Sequence, residues 1–129
     1  MRLEQVALWA RDLERLRAFY ERHFAARANA KYRNDRKKFE SYFLDFPSGG
    51  RLELMNRSDV REPGDPPEIE TFGFAHLAIT VGSEAAVDAL TGRLAREGIA
   101  VLDGPRRTGD GYYESLVVDP EGNRILILA

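Results

Sequence analysis

From Leu3 to Ala10 apolar and polar positions alternate, the period of a half-buried β-strand. The period then changes. After Asp12 the apolar residues Leu13, Leu16, Phe19, Tyr20 and Phe24 recur at helical spacing, which predicts an amphipathic helix with Asp12 as its N-cap. Weak strand character over 28–32 precedes strong alternation over 41–46. Pro47-Ser48-Gly49-Gly50 reads as a turn, and alternation resumes over 51–55. The predicted order is β-α-β-β-β.

Residues 57–72 are polar and contain Pro63-Gly64-Asp65-Pro66-Pro67, the composition of a linker or mobile loop. Beyond them the pattern restarts: a strand over 74–81, then a helix capped by Ser83 with the stripe Val87, Leu90, Leu94 and a closing Gly98. Strands follow over 99–102, 112–118 and 124–128, the last two joined by Asp119-Pro120-Glu121-Gly122-Asn123. The second half therefore repeats the first. Two half-domains, neither able to bury its sheet alone, are expected to pack together. The chain reads as one α+β domain over 1–129, with unit 1 over about 1–56, a linker over about 57–72 and unit 2 over about 73–129.

Composition narrows the function. A chain of 129 residues with 43% apolar positions fits a single domain with an ordinary core. A net charge of -2 without a basic surplus argues against nucleic acid as a partner, since phosphate binding needs clustered cations. The run Lys31, Arg33, Arg36, Lys37, Lys38 reads as a solvated loop diluted by Asp35 and Glu40. No cysteine is present, which excludes disulfides, thiolate metal sites and cysteine nucleophiles, so any metal must sit on N and O donors. No apolar stretch approaches a membrane span, and the start of the chain lacks the apolar core of a secretory signal; a cytoplasmic protein with no membrane partner is expected.

Glu53 lies between Leu52 and Leu54 and so takes the opposite face of its strand, where a carboxylate must reach solvent or find a compensating partner. His76 sits between the apolar residues Ala75 and Leu77, and His23, late in the first helix, reads as a partly exposed helix residue. Tyr112 and Tyr113 read as β aromatics, with a phenol available to a ligand. Glu114, Leu116 and Val118 share a face, and a hairpin closing near Val118 and Asn123 would bring that face beside Leu126; Glu114 then either enters a pocket or answers Arg106 or Arg107.

Several segments together carry a resemblance. Leu3-Glu4-Gln5-Val6-Ala7-Leu8-Trp9, Arg51-Leu52-Glu53-Leu54-Met55, Gly73-Phe74-Ala75-His76-Leu77-Ala78, and Gly109 to Ser115 followed by Asp119 to Ile125 resemble the glyoxalase/bleomycin-resistance/dioxygenase (vicinal oxygen chelate) superfamily, over essentially the whole chain. The resemblance implies two βαβββ units whose curved mixed sheets surround a shared polar pocket. It places metal ligands at Gln5, Glu53 and His76, for a divalent ion such as Zn, Ni, Co or Mg, and implies a small-molecule substrate and a homodimer. The fourth ligand position falls on Leu126, where the family's glutamate, also the proton-moving base of glyoxalase I, is expected. An ion would be weakly held, and Glu114 is the substitute candidate for the catalytic carboxylate. The function implied is a metal-dependent lyase or isomerase resembling glyoxalase I (lactoylglutathione lyase), working through a metal-stabilised enediolate. The alternative is a metal-free small-molecule binding protein of the bleomycin-resistance type. Retention of only His76 from the dioxygenase ligand set argues against ring cleavage.

Overall fold

Strands that alternate leucine with polar residues need an apolar cover on one side, and each half of this chain supplies its own as a helix. The structure, a computed structural model, describes residues 3–62, 64–70 and 73–129. It comprises two compact units, Met1–Glu62 and Pro63–Ala129.

Unit 1 runs β1 (Val6–Trp9), α1 (Leu13–Phe24), β2 (Arg27–Ala28), β3 (Tyr32–Asn34), β4 (Phe39–Asp45) and β5 (Arg51–Arg57). The sheet order is β1-β5-β4-β2, with β3 also on β4; β1 and β5 are parallel and the other pairs antiparallel. Helix α1 forms as its pattern predicts: Asp12 Oδ1 accepts from the Arg15 amide at 2.9 Å, and Leu13, Leu16, Phe19, Tyr20 and Phe24 are all buried. The cap is worth about 1 kcal/mol. The helix covers Leu44, Leu52 and Leu54, each contributing about 2 kcal/mol through burial.

The single strand expected over 28–32 is in fact two, β2 and β3, both on β4. Asn29 separates them. Its amide N–H donates to Phe43 O at 3.0 Å, but its side-chain Oδ1 accepts from the Phe43 amide at 2.8 Å, so a side chain replaces a backbone rung and interrupts the ladder.

On the helix side of the sheet the Tyr42 hydroxyl donates to Glu14 Oε1 at 2.8 Å, and Lys31 Nζ lies 2.8 Å from the same oxygen. These two hydrogen bonds, Lys31 first, hold the Glu14 carboxyl down at about 2. Arg33 pairs with Glu40 at 2.8 Å. Part of the basic run is thus committed to local carboxylates, consistent with a structural role.

Unit 2 runs β6 (Leu77–Thr80), α2 (Glu84–Arg96), β7 (Val101–Arg107), β8 (Tyr113–Val118) and β9 (Arg124–Leu128), in sheet order β6-β9-β8-β7. Again the outer pair β6 and β9 is parallel and the rest antiparallel. Ser83 Oγ caps α2 by accepting from the Ala86 amide at 3.2 Å, and beyond the helix Gly98 takes φ +83° while Ile99 N returns to Leu94 O at 3.0 Å. Between α2 and its sheet lies the buried hydroxyl pair Thr91 and Ser115, 2.5 Å apart, one donating to the other. The linker is not wholly free: Arg124 Nε donates to Pro67 O at 2.7 Å and its guanidinium pairs with Glu70 at 3.3 Å, which fixes these linker residues to unit 2. Among the described residues no helix is long and apolar enough to cross a membrane.

Candidate functional site

The faces of the two sheets turned away from the helices hold the candidate chemistry. In unit 1, Ala7 is level with Glu53 and Trp9 with Met55, so alternation puts these residues on the far face from α1 while Leu52 and Leu54 face the helix. Gln5, two residues ahead of Ala7, joins them: its Nε2 donates to Glu53 Oε2 at 2.7 Å, both side chains being half-buried. The partner that the Glu53 carboxylate required is therefore an amide from the neighbouring strand's entry, 48 residues away in sequence.

Unit 2 repeats this register. Leu77 is level with Ile125 and Ala78 with Leu126, as Val6 is with Leu52 and Ala7 with Glu53. His76 consequently occupies the place of Gln5, and Leu126 the place of Glu53. The expected strand over 74–81 begins only at Leu77, so His76 lies one residue ahead of β6, where it is exposed. The β8–β9 hairpin pairs Leu116 with Leu126 and Glu114 with Leu128, so Glu114 is the diagonal neighbour of Leu126 on the far face from α2. Arg106 is opposite Glu114 on β7 and feels its charge, while its Nε donates to Asp103 at 2.7 Å; Arg107 is hydrogen-bonded to Glu84. Tyr113 takes the helix side, its hydroxyl donating to Asp88 Oδ1 at 2.7 Å, while Tyr112 is exposed. His23 is half-buried with its ring 5.0 Å from that of Phe19, as suits a helix residue.

The structure thus joins Gln5 and Glu53 in unit 1 and places His76, Leu126 and Glu114 in unit 2. As a metal site the donor set fits in part. Gln5 and Glu53 offer two hard oxygen donors, with the Gln5 amide needing a half-turn to present Oε1. The equivalent position in unit 2 is a leucine, which cannot ligate, and among the described residues no three His, Asp or Glu side chains gather around one point. The sequence reading gave no role to Trp9, although its period-two relation to Gln5 was visible.

The sequence pattern of the Glyoxalase/Bleomycin resistance protein/Dioxygenase superfamily matches residues 2–127, and the chain belongs to that superfamily. Among solved structures it resembles a possible glyoxalase from Bacillus cereus, with 25% identity, a TM-score of 0.73, and coverage of 100% of this chain and 99% of the other. It is also similar to the trypanothione-dependent glyoxalase I of Leishmania major (23% identity, TM-score 0.76, 99% and 86% covered). A third similar structure is a mutant of the fosfomycin resistance protein FosX from Listeria monocytogenes, complexed with Mn(II) and 1S,2S-dihydroxypropylphosphonic acid (19% identity, TM-score 0.74, 99% and 91% covered). No curated protein matches the sequence. The superfamily includes enzymes, glyoxalase I among them, and glyoxalase-like or related activity is the functional class that membership supports.

Proposed function

We propose that the protein is a divalent-metal-dependent lyase or isomerase of the glyoxalase I kind, acting on a small oxygen-rich substrate. The observation supporting this most directly is the meeting of Gln5 and Glu53, the two unit 1 residues at the family's ligand positions. Amide and carboxylate oxygens suit Zn, Ni, Co or Mg, and the family positions add His76 as a third donor. Bound there, an ion would polarise adjacent carbonyl and hydroxyl oxygens of the substrate.

The chain's own residues do the rest. Gln5 turns its amide and gives up one hydrogen bond, a loss of about 1 kcal/mol that favours weak ion binding. Glu114 takes the proton from the carbon beside the substrate carbonyl and returns it to the neighbouring carbon, so that the isomerisation leaves the protein's protonation unchanged. Leu116, Leu126 and Leu128, all half-buried, are its apolar neighbours on this sheet face.

Protein purified without chelator is expected to contain sub-stoichiometric divalent metal and to isomerise either the hemithioacetal of a 2-oxoaldehyde with glutathione to the 2-hydroxyacyl thioester, or the hydrate of the 2-oxoaldehyde to the 2-hydroxy acid. Glu53→Ala should remove the metal, and Glu114→Gln should retain it while lowering kcat by at least about a hundredfold. Equal metal content and turnover in the parent and Glu53→Ala proteins would refute the assignment. Leu126 favours a second reading, a metal-free protein that sequesters a small ligand unchanged; its signature is ligand binding with neither metal nor turnover. On either reading we expect a homodimer, the commonest closed assembly, and a monomer mass by light scattering across micromolar concentrations would exclude it.

A further inference from the structure

We infer that the linker segment 66–70 is a strap at the hairpin end of the unit 2 site face, latched by Arg124, and that its opening governs access to Leu126. The inference rests on the reading of that face, which carries Leu126 and Glu114, as part of the site.

Alternation along β9 buries Ile125 and Ile127 on the helix side and sends Arg124, Leu126 and Leu128 to the other face. From there the Arg124 side chain reaches the linker: Nε donates to Pro67 O at 2.7 Å, and Nη1 lies 3.3 Å from Glu70 Oε1. The two contacts are unequal. The Glu70 side chain is 87% exposed, so its ion pair is screened by water, whereas the Arg124 side chain is only 14% exposed and its bond to the carbonyl is shielded. Among residues 64–70 Pro67 is half-buried and the others are exposed. Its ring lies against the β8–β9 turn, where a Cβ added to Gly122 would be 3.7 Å from Pro67 Cγ. Ile69 N donates back to Pro66 O at 3.0 Å, which folds the segment into a turn of its own.

Register shows where the strap sits. Val118, level with Arg124, is buried, while Leu116 and Leu126, the next level pair on this face, are half-buried, so burial falls off from the turn toward Leu126. Because Leu77 is level with Ile125, His76 and Arg124 stand side by side one position ahead. The latch therefore occupies the corner of the face that borders Leu126 and His76. A segment held by one shielded hydrogen bond, one proline contact and a screened ion pair belongs to the low-stability end of a domain, and it opens without unfolding the sheet. Arg124 is accordingly a positioning residue, acting on the site through the linker.

The chain has no cysteine, so a single introduced thiol reports access to one position. The full chain carrying Leu126→Cys is compared with one carrying Leu128→Cys, two residues farther from the latch, in reaction with a water-soluble aromatic disulfide, each with and without Arg124→Gln. Arg124→Gln is expected to speed labelling of Leu126→Cys by at least about tenfold, the worth of a hydrogen bond from a charged donor, and to leave Leu128→Cys unchanged. Exchange of the Ile69 amide should quicken in step. Glu70→Gln, which removes only the screened pair, should speed labelling by no more than about fivefold. A rate at Leu126→Cys that ignores Arg124→Gln overturns the strap, and so does an equal rise at Leu128→Cys, which would show a general loosening of unit 2. Turnover of the hemithioacetal of methylglyoxal and glutathione separates this inference from the reading beneath it. Arg124→Gln should lower KM and leave kcat unchanged, because more of the protein is open to the substrate. If labelling responds as expected while the parent shows no turnover or KM does not move, the strap stands and the reading of this face as part of a catalytic site falls.

Discussion

Leu126→Glu is expected to raise the affinity for Zn or Ni by at least about tenfold, the lower end of what even an outer partner of a metal ligand supplies. The register makes the change specific. Leu126 holds in unit 2 the place that Glu53 holds in unit 1, level with an alanine and diagonal to the residue ahead of the parallel strand, here His76. A carboxylate there would share its sheet face with Glu114 as well. In metal-free protein the same substitution sets a charge beside Leu116, Leu128 and Ala78 and should lower stability by about 1–3 kcal/mol. Added metal should reverse that loss by binding the folded state, so the variant's melting temperature should climb with metal concentration more steeply than the parent's. Calorimetric titration of both proteins decides the matter. Equal and negligible heats would mean that these positions form no latent ion site, and the metal-free binding reading would then lead.

Gly104→Ala should destabilise unit 2 by about 2–5 kcal/mol, combining a left-handed backbone with a collision. Gly104 has φ +80°, and a Cβ there would lie 2.5 Å from Glu114 O, 3.0 Å from Ser115 Cα and 3.2 Å from Arg106 N. All three are backbone atoms and cannot swing aside. The residue sits where the β7–β8 register shifts, so this close approach presses β7 against the part of β8 that carries Glu114. Gly109→Ala is the control, because no atom lies within 4 Å of its added Cβ. Urea denaturation should separate the two variants clearly, and a loss at Gly104 no larger than that at Gly109 would show that the strand pair relaxes without cost.

Both helices were legible in the sequence from residue to residue. Asp12 and Ser83 cap them, the apolar stripes bury as spaced, and Gly98 closes the second, because capping and helical periodicity are settled within a turn or two of chain. The hairpin at Asp119 was legible for a similar reason: its carboxylate accepts from Glu121 N and Asn123 N, both at 2.9 Å, within five residues. Strand extents were less so. The break at Asn29 depends on Phe43, which arrives across the sheet, and the late start of β6 at Leu77 depends on its pairing with β9.

For the site, the sequence by itself determined which residues are chemically able to act and which face of its strand each takes: Glu53 opposite its flanking leucines, Glu114 on the face of Leu116, and leucine where the family has a glutamate. Period-two alternation and side-chain chemistry are local and need no partner strand. Only the tertiary structure decided that Gln5 is the residue that satisfies Glu53 and that Leu126 is the register equivalent of Glu53. Those facts are matters of register between strands far apart in the chain. A slip of one residue would carry each side chain to the opposite face, and the register is fixed by the burial of the whole helix-side core, Leu44, Leu52 and Leu54 in one unit and Val117, Ile125 and Ile127 in the other, which no short stretch of sequence contains.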